Sequence, residues 1–523
     1  MAKHGWDVIV VGAGSSGAVL ASRLAGAGRC VLLLEAGPDL RSAEIPEVWR
    51  SPNPARALLD REATTPLVWP DLLATRTDKQ DAALYWRGRG TGGSSSINGQ
   101  IAIRPPMADF DDWVRQGCTG WSPDDVLPHF ARSEHDEQFG DEPYHGRGGP
   151  TPIHRMPRSQ WGSADTALCD AALAAGHGWA KDVNAPGAAG VSPYPINSRD
   201  RRRVSVNDGY LEPARDSGNL TIRGDALVDR VLVEAGRAVG VRYLAGDAPV
   251  QEHADLVVLS AGAVHSPTVL MRSGIGPAGL LRGLGIDVVA DLPVGRGLQD
   301  HPMVGVAIPL NEASAMRSPD DRHTNVCVRY TSDAPGALPL DMMFVSLNQN
   351  VLAMEHADLR FGAGGFGVWV NQAYSRGSVT LTSTDPRVQP EVREAMLSDE
   401  RDLARLRSGV RALMEMARGA DAAAIADGPV DRVNTTLLSV LDDDARLDDH
   451  LLATAADAQH ATSTCRMGDP SGVDTVVDPD CRVLGVDGLR VVDASIFPSV
   501  PRANTNLTAI MAGELIAERL GRS

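Results

Sequence analysis

The chain has 523 residues, of which 43% are hydrophobic and 22% charged, and its formal net charge at pH 7 is −17. A chain of this length is too long to fold around one simple core, so at least two domains are expected. The excess of acidic residues and the absence of a stripe of basic residues argue against nucleic acid as a partner. No apolar run approaches the ~20 residues of a membrane-spanning helix and no signal peptide is recognised, so we expect a cytoplasmic protein without a membrane span.

The first predicted element is a strand followed by a glycine-rich turn. Residues 8–11 form a short β-branched run, typical of a central parallel strand. Gly12, Gly14 and Gly17 then give G-x-G-x-x-G, and a helix is expected from about Ser15. The glycines permit a tight turn, close approach of a pyrophosphate and close helix–strand packing, and the helix N-terminus favours the phosphate charge.

A second apolar strand, residues 31–34, ends in Glu35. Glu35 follows Gly12 by 35 − 12 = 23 positions, close to the ~20 expected for the acidic residue that binds ribose hydroxyls. The opening segment therefore predicts a dinucleotide-binding βαβ unit, but this motif alone does not separate FAD from NAD.

A long irregular excursion, residues 38–83, leaves this unit, and the chain returns at a second glycine-rich segment, residues 85–99. Interleaved arginines and the apolar, strand-like residues 100–104 that follow argue against a flexible linker. We expect this backbone to lie against a planar ligand or a second phosphate.

Residues 85–104 resemble the first signature of the glucose-methanol-choline (GMC) oxidoreductases, FAD enzymes that oxidise alcohols. The resemblance implies FAD rather than NAD, and it implies contacts to FAD from Arg89, Gly92, Gly93, Asn98 and Ile101. Some members of the family tether the flavin through a histidine at the position that Ile97 holds here. We therefore expect non-covalent FAD.

The next part of the chain alternates between helical and strand patterns. Helices are predicted over residues 109–114, 122–130 and 161–175, and strands over residues 221–223, 226–234 and 240–243. The charged run at residues 199–203 is interpreted as a solvated turn rather than an anion site.

Residues 255–271 resemble the second signature of the family, a buried strand, a glycine turn and a helix. His265, at this turn, is interpreted as a packing or capping residue. By resemblance, Val228 offers a backbone contact to adenine. Residues 293–301 resemble the segment that links the two domains of the family.

Alternating apolar patterns return between residues 304 and 381 and predict antiparallel strands, which the resemblance identifies with the substrate domain. The expected strands cover residues 304–310, 325–330, 340–347, 367–373 and 378–381. Long amphipathic helices are predicted over residues 399–418 and 437–452.

Residues 459–468 resemble the family's H-x-x-G-T-C-R-M-G block, with Ser463 in place of its glycine. His460 takes the position of the catalytic base. An imidazole suits this role because oxidation of an alcohol requires removal of the hydroxyl proton as a hydride leaves the carbon. Asn504 takes the position that hydrogen-bonds the substrate oxygen opposite the base, although it is also a plausible helix N-cap.

The resemblance and the glycine motif together define the predicted FAD site, in which Asp493 and Ala494 contact the pyrophosphate and ribityl chain, and Thr505 and Asn506 lie by the pyrimidine edge. The expected cofactor-binding residues are Gly12, Gly14, Ser15, Ser16, Gly17, Glu35, Ala36, Trp69, Arg89, Gly92, Gly93, Asn98, Ile101, Val228, Ala261, Asp493, Ala494, Thr505 and Asn506. The six scattered cysteines, without C-x-x-C, predict free thiols, and no metal site is expected.

The predicted fold combines a Rossmann-type α/β FAD-binding domain with an α+β domain of antiparallel sheet backed by helices. The FAD-binding domain is assigned residues 1–155, 215–300 and 470–523, and the substrate domain residues 156–214 and 301–469.

The predicted reaction moves a hydride from an accessible, primary and possibly aromatic alcohol to the flavin, with oxygen or another electron acceptor as second partner. Residues 144–153 and 368–371 look most like the bacterial hydroxymethylfurfural and aryl-alcohol oxidase branch. Ala458 and Gln459, just before the base, are expected to shape the flavin surroundings. A choline-type dehydrogenase, a non-redox FAD lyase of the same family and a non-catalytic flavin protein remain alternatives.

Overall fold

The structure, a computed structural model, describes residues 5–58, 60, 62, 65–349 and 363–521; four residues of the predicted excursion (59, 61, 63 and 64) therefore lie outside it. Within this part of the chain the strands are β1 (Trp6–Val11), β2 (Val31–Leu34), β3 (Leu73–Thr75), β4 (Ala83–Leu84), β5 (Glu134–Asp136), β6 (Thr151–Arg155), β7 (Gly190–Pro193), β8 (Pro195–Ile196), β9 (Ser198–Arg199), β10 (Arg202–Arg203), β11 (Leu220–Arg223), β12 (Ala226–Glu234), β13 (Arg237–Ala245), β14 (Ala248–Leu259), β15 (Arg296–Leu298), β16 (Pro302–Pro309), β17 (Val326–Tyr330), β18 (Met342–Leu347), β19 (Ala363–Val370), β20 (Gly377–Thr380), β21 (Glu391–Arg393), β22 (Ala456–Asp457) and β23 (Leu489–Val491). The α-helices of the same residues are α1 (Gly17–Gly26), α2 (Glu47–Arg50), α3 (Pro54–Leu58), α4 (Ala108–Arg115), α5 (Pro123–Ser133), α6 (Ser163–Ala174), α7 (Glu212–Ala214), α8 (Gly262–Arg272), α9 (Ala278–Gly283), α10 (Glu400–Arg418), α11 (Ala420–Ile425), α12 (Thr435–Leu438), α13 (Asp444–Thr454) and α14 (Thr505–Gly521).

The first sheet is the predicted dinucleotide unit. Strands β11, β2, β1, β14 and β23 run parallel, and β13 and β12 extend the sheet antiparallel to β14. Helix α1 packs directly on β1 because Gly17 has no side chain: a Cβ there would overlap the carbonyl oxygen of Gly12. The third glycine of the motif therefore has the packing role that its spacing predicts.

The second large sheet has the order β22-β16-β19-β18-β17-β7 and is antiparallel throughout. Successive side chains of β16 point to opposite faces of this sheet. Val304 and Val306 pack with Leu406 and Val410 of helix α10, whereas Met303 belongs to a separate apolar cluster on the other face. The predicted fold class, a Rossmann-type domain combined with an antiparallel sheet backed by helices, is confirmed; the residue boundaries of the two domains remain a prediction.

Two predicted elements of this region are wrong in detail. Residues 378–381 do not extend the antiparallel sheet, because β20 pairs with β15 and β21 in a third sheet that continues to β3 and β4. The predicted helix over residues 437–452 is two helices, α12 and α13. The second begins where the side chain of Asp443 caps it by accepting the N–H of Arg446.

The interpretation of residues 199–203 as a solvated turn is wrong for Arg203. These residues form the hairpin β9–β10, and Arg203 is only 7% exposed. Its guanidinium donates to the carbonyl oxygen of Trp49 (3.0 Å) and to Asn98 Oδ1 (2.9 Å). These acceptors replace water, so the side chain joins the hairpin to the glycine-rich segment.

Candidate active site

A cavity of ≈ 450 Å³ opens between the first sheet, the glycine-rich segment and the second sheet. Of the residues predicted for catalysis and cofactor binding, all but Gly17, Arg89 and Gly92 line it. The carboxyl ends of β1, β2 and β14 meet at this point, which is where ligands of parallel α/β sheets bind. The sequence-predicted residues are therefore neighbours in space, although their individual roles remain predictions.

The three predicted residues that do not line the cavity support its wall. Gly17 allows helix α1 to approach β1. Gly92 lies at φ 91° and donates its N–H to the carbonyl oxygen of Ala13 (2.9 Å), which joins the two glycine-rich loops. Arg89 donates to the carbonyl oxygen of Ala36 (3.0 Å).

The two glycine-rich loops approach each other closely enough to exclude side chains. A Cβ on Gly93 would lie 2.7 Å from the Cα of Gly14. The N-terminal ends of helices α1 and α14 meet at the same place, where Ser15 Oγ donates to Asn506 Oδ1 (2.7 Å). Two helix N-termini and bare glycine backbone form a cradle that fits the pyrophosphate of FAD.

Glu35 connects these loops as well as lining the cavity. Its carboxylate accepts three backbone N–H groups, those of Ala13, Gly37 and Gly90, each at 2.9 Å. Burial raises the pKa of Glu35, and these three hydrogen bonds act against that rise. The spacing argument predicted only the ribose contact, and these backbone contacts add a structural role.

His460 and Asn504 lie together at the cavity. Asn504 Nδ2 donates to His460 Nε2 (3.1 Å), and Asn504 Oδ1 is buried without a partner in the described part of the chain. His460 Nδ1 contacts Nδ1 of His301 at 2.9 Å. A neutral ring that accepts at Nε2 carries its proton on Nδ1, so His460 donates to His301 and keeps its basic lone pair beside Asn504.

Both histidines of this pair are held in the neutral form. Burial, with the neighbouring His301 and Arg87, holds the pKa of His460 well below its usual value. Burial lowers the pKa of His301 to about 4. A neutral imidazole whose Nε2 is unprotonated is the form that accepts a proton.

Asp300 holds the backbone of both histidines. Its Oδ2 accepts the N–H of His460 (2.7 Å) and its Oδ1 the N–H of His301 (2.7 Å). Tyr85 donates its hydroxyl to the same carboxylate (2.8 Å). On the open side the ring of Trp369 lies 5.9 Å from the ring of His460, edge to face.

Asp300, His301, Trp369 and the cavity-lining His323 were missed at the sequence level. The segments 293–301 and 368–371 are distinctive in the sequence only through their resemblance to the family. His301 is separated from His460 by 159 positions, and no local pattern joins them. The sequence signal that could have identified Asp300 and His301 is that these two polar residues stand side by side at the end of segment 293–301.

Other residues near the site behave as packing groups or fill special backbone positions. His265 stacks on Trp69 at 4.3 Å and hydrogen-bonds Gln389, in keeping with its interpretation as a packing residue. Ser463, which replaces the family's glycine, lies at φ 74°, a region that favours glycine. Gln459 donates to Asp457, and Ala458 lines the cavity.

Comparison with known proteins agrees with this geometry. The N-terminal and C-terminal profiles described as GMC oxidoreductase match residues 6–303 and 373–513. The chain belongs to the GMC oxidoreductase family. It is 36% identical to 5-(hydroxymethyl)furfural oxidase from Methylovorus sp. (strain MP688), over 98% of each chain. It is 33% identical to mitochondrial choline dehydrogenase from Homo sapiens, over 98% of this chain and 89% of that one.

Among solved structures, pyridoxine 4-oxidase from Mesorbium loti superposes on this GMC oxidoreductase with a TM-score of 0.89 and 27% identity, covering 99% of this chain and 100% of that one. GMC oxidoreductases bind FAD, so the predicted cofactor is confirmed at the level of the family. The prediction of an FAD-dependent alcohol oxidoreductase is confirmed at the same level. In the described residues no helix is both long and apolar enough to cross a membrane.

Proposed function

We propose that this enzyme oxidises an uncharged primary alcohol, with His460 as the base and Asn504 as the second partner of the alcohol oxygen. The observation that carries the proposal is the 3.1 Å contact between His460 Nε2 and Asn504 Nδ2 at the cavity. An oxygen bound within reach of both atoms donates its hydroxyl proton to Nε2 and accepts the amide N–H.

The neighbouring groups position the base. His301 accepts from Nδ1 of His460, which fixes the tautomer, and Asp300 holds the backbone of both residues. When the O–H bond breaks, the proton goes to Nε2; when the C–H bond breaks, the carbon becomes a carbonyl. The chemistry that bound FAD supplies is acceptance of the two-electron hydride at the flavin.

The cavity wall favours an uncharged substrate. Met303, Val345, Leu347 and Trp369 line the sheet side, and all four are apolar or aromatic. Asp457, which also lines the cavity, is paired with Arg76 at 2.6 Å and leaves no free charge for an ammonium ion. An aromatic or furan alcohol, as in the name of the Methylovorus relative, fits this wall better than choline.

Replacement of His460 with alanine tests the proposal. Anaerobic mixing with furfuryl alcohol should bleach the flavin of the wild type, and H460A should bind FAD but reduce it about 10²–10⁴-fold more slowly, the usual contribution of a general base. H253A, which alters an exposed histidine, is the matched control and should behave as wild type. Near-normal flavin reduction in H460A would refute the assignment, and an absence of bleaching in the wild type would favour the lyase.

We further infer that FAD is held without a covalent bond, because Ile97 offers no nucleophile where the tethering histidine would stand. Flavin that stays with acid-precipitated protein would contradict this inference. Oxygen or another compound is proposed as electron acceptor, and hydrogen peroxide assays decide between them. The cytoplasmic location remains a prediction, which cell fractionation would test.

A further inference from the structure

Two buried arginines, Arg203 and Arg322, have no carboxylate within ion-pair distance in the described part of the chain. Arg203 is 7% exposed and Arg322 is 6% exposed. Arg104, Arg155 and Arg405 are also buried, and each of them contacts a carboxylate. A buried cation without a counter-charge is unfavourable for folding. Two such cations therefore indicate a role other than stability.

Both guanidinium groups donate to the end of the glycine-rich segment. Arg203 contacts the carbonyl oxygen of Ser95 (3.2 Å) and Asn98 Oδ1 (2.9 Å). Arg322 contacts the carbonyl oxygen of Gly99 (3.1 Å). Burial and the charge of Arg322 lower the pKa of Arg203 to about 9, and burial lowers the pKa of Arg322 to about 10. Both groups stay protonated at neutral pH, so two positive charges lie directly behind this part of the cavity wall.

The contact from Arg203 also fixes the orientation of the Asn98 side chain. Asn98 Oδ1 accepts two hydrogen bonds from the protein, one from Arg203 and one from the N–H of Gln100, each at 2.9 Å. Asn98 is partly exposed and lines the cavity, and its Nδ2 donates to no described residue. Nδ2 is not among the fully buried atoms that lack a partner. Since Oδ1 is turned to the protein, the N–H groups of Nδ2 are open to the cavity.

The part of the cavity beside Asn98 suits the flavin ring better than the phosphates. The pyrophosphate cradle lies at Gly93 and the two helix N-termini, as described above. Asn98 lies 98 − 93 = 5 positions farther along the chain. Ile101, which follows, belongs to the same apolar cluster as Trp369, whose ring lies 5.9 Å from that of His460. The end of the segment is therefore on the side of the predicted base, where the reacting ring belongs.

We propose that Arg203 is a positioning residue for the cofactor, which turns the N–H of Asn98 toward the bound flavin and, with Arg322, stabilises the negative charge that the flavin ring gains on reduction. A hydride adds two electrons and one proton to a neutral ring, which leaves one negative charge. A fixed positive field therefore favours the reduced flavin and raises its potential. This inference goes beyond the proposed function, because it depends on bound FAD but not on His460 or on the alcohol.

The test compares R203Q with R202Q in the purified holoenzymes. R202Q removes the same charge from the neighbouring residue of the hairpin, where Arg202 is exposed and pairs with Glu47 (2.6 Å). Sulfite is the probe, because its sulfur lone pair adds to flavin N5 and leaves the ring negatively charged. Loss of flavin absorbance gives the dissociation constant, and the midpoint potential is measured against a reference dye.

R203Q should bind sulfite roughly tenfold or more weakly than the wild type and should have a lower midpoint potential, because one nearby positive charge is lost. R202Q should match the wild type in both measurements. If R203Q instead matched R202Q, the proposal would be overturned. Weaker FAD binding by R203Q with an unchanged potential would also overturn it, because the charge would then serve the phosphates or the fold.

A second variant, N98D, keeps Arg203 and the acceptor oxygen that it contacts, but replaces the N–H that faces the cavity with a carboxylate oxygen. N98D should lower the potential and weaken sulfite binding at least as much as R203Q, and it decides the question alone if R203Q does not yield holoenzyme. A wild-type potential in N98D would contradict the proposal. Where the wild type binds no sulfite, the potential is the deciding measurement. Failure of the proposed function has a different signature, because an alcohol that does not bleach the flavin leaves these measurements unchanged.

Discussion

Two of the buried clusters of charge in the described part of the chain differ in how they are neutralised. The distal cluster lies outside the cavity lining and consists of Arg104, Glu134, Asp136, His145, Arg155 and Asp182. The site cluster adjoins His460 and consists of the buried Arg76, Asp300, Glu394 and Asp457 and the partly buried Arg87. Each has three carboxylates, but the first has three possible cations and the second has two.

In the distal cluster the charges pair. His145 bridges Glu134 (2.6 Å) and Asp182 (2.9 Å), and Arg155 contacts Asp136 (2.8 Å) and Asp182 (2.7 Å). Burial alone would lower the pKa of His145, but its hydrogen bonds to Asp182 and Glu134 raise it. Burial would likewise raise the pKa of Asp182, but the bond from His145 and the charge of Arg155 lower it. A protonated His145 therefore supplies the third positive charge, which balances the three carboxylates of this cluster.

In the site cluster one carboxyl group has no cation. Both oxygens of Glu394 lack a hydrogen-bond partner in the described residues, and the side chain is buried. Burial and the charge of Asp457 raise the pKa of Asp300 to about 7 and that of Glu394 well above its usual value. Asp300 accepts three hydrogen bonds and Glu394 none, so we assign the extra proton to Glu394.

This difference in how the charges are neutralised indicates the role of each cluster. Paired cations in the distal cluster make it a structural crosslink, whose loss affects folding. A proton takes the place of the third cation in the site cluster, so the charge of this cluster changes with pH, next to a base that must stay neutral. We expect changes in the first to act on stability and changes in the second to act on rate and pH dependence.

The largest effect is expected from D182N in the distal cluster. Loss of this carboxylate leaves His145 and Arg155 partly unpaired in a buried place, which costs about 3–5 kcal/mol in the free energy of unfolding. Denaturant unfolding of the holoenzyme measures this loss. D141N, which alters an exposed acid, is the control and should change stability by less than about 0.5 kcal/mol.

The deficit of D182N should depend on pH. The lowered pKa of Asp182 gives stability above its unfolded value of 3.8, which is lost as the pH falls through the folded pKa. The raised pKa of His145 gives stability below its unfolded value of 6.5, which is lost as the pH rises through the folded pKa. The deficit is therefore largest between these values, and a constant deficit would contradict the ionic account.

D300N should slow flavin reduction while leaving the fold intact. An amide nitrogen at this position opposes a backbone N–H of His460 or His301, because the native carboxylate accepts both. A small displacement of a catalytic group commonly costs up to about 100-fold, so we expect a decrease of roughly 10–100-fold. Y85F, which removes only the hydroxyl on the same carboxylate, should cost less. Equal rates in D300N and wild type would remove Asp300 from the positioning of the base.

The sequence predicted what is local in the chain and missed what is brought together by sheet pairing. The motif Gly12, Gly14 and Gly17 lies in one strand–turn–helix, so its spacing was enough to predict that the strand, turn and helix are adjacent. The contact between His301 and His460 depends on how two distant segments meet, and periodicity carries no information about that. The same reason explains the misassigned β20, since an alternating pattern shows a half-buried strand but not its partner.

Near pH 5 the smallest change is expected at Glu394, and its pH dependence distinguishes a protonated carboxyl from a fixed charge. E394Q keeps the shape of a protonated carboxyl, so near pH 5 its free energy of unfolding should lie within about 1 kcal/mol of wild type. A carboxyl with a raised folded pKa stabilises fully below its unfolded value of 4.5, and that contribution is lost as the pH rises toward the folded pKa. The glutamine has no proton to lose, so E394Q should gain on wild type by up to about 1.4 kcal/mol per pH unit above 4.5. E391Q, on the exposed side of strand β21, which directly precedes Glu394, should follow the wild-type curve. If E394Q were strongly destabilised at every pH, Glu394 would be an ionised partner of the arginines, and the two clusters would be neutralised in the same way.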